Sequence, residues 1–168
     1  MGVWRPSCDG RIMHGQGGFA VDFLIVEDDP VMQQIIAGML GRLGYGVRVA
    51  EDGHAALQAC AEEPPFAVLM DVQMPRMDGL TATRELRRLQ RDEGLPAFPI
   101  IVASAFYSPT DRAACFEAGA DGFVTKPLML AKLGAEIYRV VRRTAATPTA
   151  TPRRWEPDET AAVRHRAV

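Results

Sequence analysis

The chain has 168 residues, enough for one domain with a sizeable core and tails. Hydrophobic residues make up 48% and charged residues 24%, and 19 basic against 21 acidic side chains leave a net charge of −2, so nothing draws the chain strongly to nucleic acid or an anionic membrane. The three cysteines, Cys8, Cys60 and Cys115, fit neither a zinc spacing nor a disulfide framework, and no apolar run approaches the ~18 residues of a membrane span.

Residues 1–19 are glycine-rich and aperiodic and are read as a disordered arm without the apolar stretch of a signal peptide; a cytoplasmic protein is therefore expected. The run Gly15-Gln16-Gly17-Gly18 precedes a strand, whereas a dinucleotide-binding loop follows one. Order begins near Ala20, and "VDFLIV" is a first strand. Asp29-Pro30 reads as N-cap and first helical residue. Met32, Ile35, Ile36, Met39, Leu40 and Leu43 then recur at helical spacing until Gly44. "YGVRVA" alternates as a second strand, residues 53–62 form a helix of small residues, and "FAVLM" is a third strand. Asp78-Gly79 reads as turn chemistry. A helix follows over residues 80–91, with Ala82, Leu86 and Leu89 inward and Arg84, Arg87, Arg88 and Arg91 outward as a solvated face. "PIIVASA" is a fourth strand, residues 110–118 a helix closed by Gly119, "GFVT" a fifth strand and residues 129–142 a last helix. From Thr144 the sequence is rich in Thr, Ala and Pro and is read as a disordered tail over 144–168.

Strands alternating with helices predict an α/β fold with a parallel sheet covered on both faces. The strands are nearly continuous apolar runs, as doubly buried parallel strands are. Right-handed crossovers leave few windings, of which the doubly wound, flavodoxin-like order 2-1-3-4-5 is a common one. Ligands then sit outside the carboxyl ends of the strands, where strands one and three diverge.

At those ends the sequence places Glu27, Asp28 and Asp29 after strand one, Asp71 after strand three, Ser104 after strand four and Lys126-Pro127 after strand five. With strands one and three adjacent, Glu27, Asp28 and Asp71 converge, and three unpaired carboxylates so close repel one another. A divalent cation would resolve that repulsion, and hard oxygen donors without His or Cys point to Mg2+. Ser104 and Lys126 add a hydroxyl and a positive charge, which together suit a phosphoryl group. Asp71 would be the nucleophile and form an acyl phosphate. Asp29 is read as a helix cap and not as a ligand.

The segments "LIVEDDP", "VLMDVQMPRMDG", "VASA" and "GADGFVTKPL" resemble the receiver domain of two-component response regulators over residues 20–143. The resemblance implies that Asp28 binds Mg2+ directly, Glu27 mainly through water, and Gln73 through its backbone carbonyl. It implies that Asp71 accepts the phosphoryl group from a histidine kinase or histidine phosphotransfer protein, as a phosphorylation-dependent switch or a carrier in a two-component phosphorelay, that Lys126 bonds a phosphoryl oxygen, and that Ser104 and Phe123 form a switch pair. It also implies a cis Lys126-Pro127 bond. A downstream protein partner would read the face made by helix four, strand five and helix five. Gln73 and Phe106 would flank the path of the hydrolytic water, and the bulk of Phe106 is expected to slow dephosphorylation.

The sequence departs from the commonest pattern in carrying Glu27 in place of a first aspartate and Phe123 where many members have tyrosine. About 25 residues follow the last helix, so a stand-alone receiver is expected, a monomer or weak dimer that works as a switch and not as an enzyme on other substrates. The wording "DVQMPRMDG" also resembles receivers of hybrid kinases. The alternatives are a constitutive interaction scaffold with a vestigial site, and an aspartyl-phosphate phosphatase. The second would need an aspartate two residues after the nucleophile, where Gln73 stands.

Overall fold

The computed structural model describes residues 22–105 and 108–146. The expected arm over residues 1–19, most of the expected tail and Phe106 lie outside the described residues. Five strands and five helices alternate: β1 (Asp22–Val26), α1 (Pro30–Arg42), β2 (Gly46–Ala50), α2 (Gly53–Glu62), β3 (Ala67–Asp71), α3 (Gly79–Asp92), β4 (Ile100–Ser104), α4 (Pro109–Glu117), β5 (Gly122–Thr125) and α5 (Leu130–Ala146). The sheet runs β2-β1-β3-β4-β5, all parallel, in the order the sequence predicts.

The strands divide the core by their two-residue period. Phe23, Ile25, Leu69, Ile101 and Val124 face α1 and α5, where they meet Ile36, Leu40, Leu133, Ile137 and Val140. Leu24, Val26, Val68, Met70, Ile100 and Val102 face α2, α3 and α4 and pack on Ala56, Cys60, Ala82, Leu86 and Cys115. At roughly 1.5–3 kcal/mol for each large side chain fully removed from water, these two layers dominate the stabilisation and hold the strand ends at fixed heights.

The helices start where their caps are. Asp29 accepts from the Val31 and Met32 amides at 2.7 and 3.3 Å, with Pro30 as first helical residue. Ser108 and Asp111 form a reciprocal capping box on α4. Gly44, at φ +89°, follows α1 in the left-handed conformation that glycine adopts at little cost.

Four expectations are corrected. Asp78 is the N-cap of α3 and not merely a turn residue: its carboxylate accepts from the Leu80 and Thr81 amides, both at 2.9 Å. Arg87 does not face solvent. Its guanidinium donates to the carbonyls of Gly119 (2.8 Å) and Phe98 (3.0 Å), to Gln90, and to Asp121, joining α3 to the starts of β4 and β5. Ile35, placed by its spacing on the buried stripe of α1, is 44% exposed because that stripe is narrower than the periodicity suggests. Met129 precedes α5 and is exposed.

Candidate functional site

The carboxyl ends of β1 and β3 bring three carboxylates together. One oxygen from each of Glu27, Asp28 and Asp71 lies within 4.8 Å of the others; Glu27 and Asp71 are buried and Asp28 is exposed. The backbone sets this up. The Glu27 amide donates to the Ala50 carbonyl at the end of β2 (3.1 Å), and the Val72 amide donates to Ala103 on β4 (3.1 Å). The Gln33 side-chain amide donates to the Glu27 carbonyl at 2.7 Å. Asp71 is therefore the last residue of a strand paired on both sides, with its side chain at the mouth.

Lys126 reaches into the cluster. Its Nζ lies 2.7 Å from Glu27 Oε2 and 3.0 Å from Asp71 Oδ2. This corrects the expectation of three unpaired carboxylates: one ammonium already serves two of them. The Lys126-Pro127 bond is cis, as expected, and the Lys126 amide donates to the Ser104 carbonyl at 2.8 Å. Burial works against the Lys126 charge, but the hydrogen bonds and negative charges of Glu27 and Asp71 outweigh it, so its pKa lies above the ordinary lysine value. Burial pushes the Glu27 pKa up; the Lys126 hydrogen bond opposes this and the Asp71 charge adds to it.

Three carboxylates face one ammonium, an excess of two negative charges when all are ionised. The donors are hard oxygens at the spacing of one small ion's shell, so the residues fit a divalent cation such as Mg2+. Ser104, buried at the end of β4, lies one residue beyond Ala103, the partner of Asp71 in register. Gln73 is exposed, two residues past Asp71 in the loop that leaves β3. Phe123 lies farther back on β5, half-buried against the core below α4, and its amide donates to Glu136 Oε1 on α5 at 2.9 Å. Asp29 is occupied as a cap, as expected.

The family model for the response regulator receiver domain matches residues 23–138. The chain belongs to that family. Among curated receivers, it is 40% identical over 124 residues to the response regulator MprA of Mycolicibacterium vanbaalenii and 38% identical over 125 residues to that of Mycobacterium tuberculosis. Each match covers 74% of this chain and 52% of the relative, so the chain spans about half the length of the curated relatives it matches. Among solved structures, the receiver domain of the sensor histidine kinase PA1611 from Pseudomonas aeruginosa, with a magnesium ion in its active-site cleft, is 35% identical with a TM-score of 0.65, over 73% of this chain and 98% of that one. The Vibrio cholerae chemotaxis protein CheY4 is 26% identical with a TM-score of 0.64, over 72% and 98%.

Two features of this receiver's site were not read from its sequence. A Cβ on Gly79 would lie 1.9 Å from the Asp71 carbonyl oxygen, so α3 begins in van der Waals contact with the backbone of the strand end. The Asp78-Gly79 dipeptide carries that signal, but the same pair of residues also marks an ordinary turn. Arg76, in the same loop, pairs with Asp52 and Glu51 at the start of α2, and no sequence pattern announces that pairing.

Proposed function

We propose that this receiver is a phosphorylation-dependent switch, with Asp71 as the phosphoacceptor. The observation that carries the reading is Lys126 Nζ at 3.0 Å from Asp71 Oδ2, on the rim where Glu27 and Asp28 also converge. An Asp71 carboxylate oxygen attacks the phosphorus of a phosphohistidine on a kinase or phosphotransfer protein. The phosphorus–nitrogen bond breaks, the imidazole nitrogen leaves with the electron pair, and an acyl phosphate remains. Glu27, Asp28, Asp71 and the Gln73 carbonyl would hold Mg2+, which would supply positive charge against the phosphoryl oxygens. Lys126 holds Asp71 in place before transfer and pairs with a phosphoryl oxygen afterwards.

The modification adds about −1.5 to −2 charges. Ser104 then turns toward the new oxygens, Phe123 moves inward, and the face of α4, β5 and α5 is remodelled for a downstream protein. Exposed Val31, Ile35 and Met129, on the segments that follow β1 and β5, offer apolar contact to a protein phosphodonor. Among the described residues no helix is long and apolar enough to cross a membrane, and the site of action is proposed to be the cytoplasm. The only chemistry assigned to the chain is its own phosphorylation and slow dephosphorylation.

The test is labelling by acetyl phosphate with Mg2+, followed by intact mass. One phosphoryl group, removed by hydroxylamine as an acyl phosphate is, supports the reading. A folded protein that takes no label from acetyl phosphate or from any histidine phosphodonor would return the constitutive scaffold.

A further inference from the structure

Arg76 is the only non-glycine residue at positive φ (+65°) among the described residues. The Met77 amide donates to the Pro75 carbonyl at 2.7 Å, so residues 75–77 close a three-residue turn of the hand that L residues disfavour. Such a conformation persists only where its surroundings over-determine it. Here they do. Arg76 Nε donates to Asp52 Oδ2, and its Nη2 lies 3.4 Å from Glu51 Oε1. The neighbouring Met77 side chain fills the space over Gly53, where a Cβ would fall 2.5 Å from Met77 Cγ.

Asp52 is anchored in turn. It is buried, and its other oxygen accepts from the Ala55 amide at 2.7 Å as the N-cap of α2. The same corner begins at Ala50, whose carbonyl holds the Glu27 amide. One short stretch, residues 50–53, thus fixes both walls of the acidic cluster: the β1 end directly, and the loop after Asp71 through Arg76 and Met77.

We propose that Arg76 is a positioning residue for the divalent-cation site. Through Asp52 it holds the 75–77 turn, and with it the path of residues 72–74 that carries the Gln73 carbonyl, though it touches neither ion nor phosphoryl group. This rests on the reading of Glu27, Asp28 and Asp71 as that site. An ion pair with one exposed partner contributes little to global stability, so the effect falls on cation affinity and not on folding.

The sign of the effect separates positioning from electrostatics. Removing a positive charge from the protein should tighten Mg2+ binding or leave it unchanged if charge alone matters; loss of positioning weakens it. The measurement is Mg2+ titration of the full chain by amide NMR shifts for the parent, Arg76→Gly, Asp52→Asn and the double variant. Glycine suits the positive φ, and asparagine still caps α2. The expected result is affinity about fivefold weaker in Arg76→Gly, with melting temperature unchanged. The double variant should be no weaker than the weaker single one, because both break one link. The rate of acetyl phosphate labelling should recover at saturating Mg2+. Equal or tighter Mg2+ binding in folded Arg76→Gly, or additive losses in the double variant, overturns the proposal. A parent protein that binds no Mg2+ at all would instead remove the underlying reading of the site.

Discussion

Replacing glycine by alanine at two positions should move stability in opposite directions, and the difference measures how tightly the site is built. At Gly79 the new Cβ would sit 1.9 Å from the Asp71 oxygen, 2.8 Å from the Asp71 carbonyl carbon and 2.9 Å from Met70 Cγ. Two of these atoms are backbone of a strand paired on both sides, so α3 must move. That motion also stretches the Gly79 amide's bond to the Val72 carbonyl, now 3.0 Å. Overpacking costs about 1–3 kcal/mol and the bond about 1 kcal/mol, so Gly79→Ala should lose roughly 2–4 kcal/mol. In a domain of this size that lowers Tm by roughly 8–15 °C. Acetyl phosphate labelling should fall further than stability explains, because the shift of α3 drags the loop between Asp71 and Gly79, which forms one side of the site. Gly38 lies within α1 and has nothing within 4 Å of its Cβ position. There alanine should stabilise by roughly 0.5–1 kcal/mol and leave labelling unchanged. Thermal denaturation by circular dichroism, with labelling of each variant at a temperature where it is folded, reads both effects. If Gly79→Ala melts within 2–3 °C of the parent, roughly the effect of under 1 kcal/mol, and labels at the parental rate, the close approach does not shape the site.

Lys126→Met should leave the buried Glu27 and Asp71 carboxylates without their shared cation, slowing phosphotransfer by about 100-fold, in the range of a lost electrostatic stabiliser; a labelling time course at fixed Mg2+ checks it. Asp28→Ala should remove most Mg2+ affinity and Glu27→Ala less, since Glu27 is buried and bonded to Lys126 while Asp28 is exposed; titration by NMR ranks them. Arg87→Met should cost about 2–3 kcal/mol by urea denaturation, because it strips the Phe98 and Gly119 carbonyls and Asp121 of a shared donor. The Arg139 hydrogen bond holds the Glu136 carboxylate below the ordinary range, against burial and with the help of the Phe123 amide. Its contribution to stability is therefore full above the ordinary glutamate value of about 4.3 and is lost as pH falls through the lower folded value. The Phe123 amide resonance should stay fixed down to pH ~4.3 and shift only below it.

The order of the sheet and the meeting of Glu27, Asp28 and Asp71 were legible because both follow from local patterns. Apolar runs mark the strands, and a carboxylate just after each run can only emerge at one edge of a parallel sheet. The errors came where a residue's role depends on a distant partner. Helical spacing put Arg87 outside by its charge, but a guanidinium on a long stem can turn back to carbonyls at Phe98 and Gly119, which only the folded chain brings near. Asp78-Gly79 fits both a turn and a helix start, and what separates them is its closeness to the Asp71 backbone. Lys126 was placed on the right rim, yet its pairing with Glu27, 99 residues earlier, depends on side-chain reach that spacing does not encode.

The most direct test of the account is the location of the phosphoryl group. The parent and Asp71→Asn are incubated with acetyl phosphate and Mg2+, reduced with borohydride to trap the acyl phosphate, and mapped by peptide mass spectrometry. The account predicts modification at Asp71 in the parent and none in the variant. An acyl phosphate trapped at Glu27, Asp28 or any other residue of the parent, or undiminished labelling of Asp71→Asn, would contradict it.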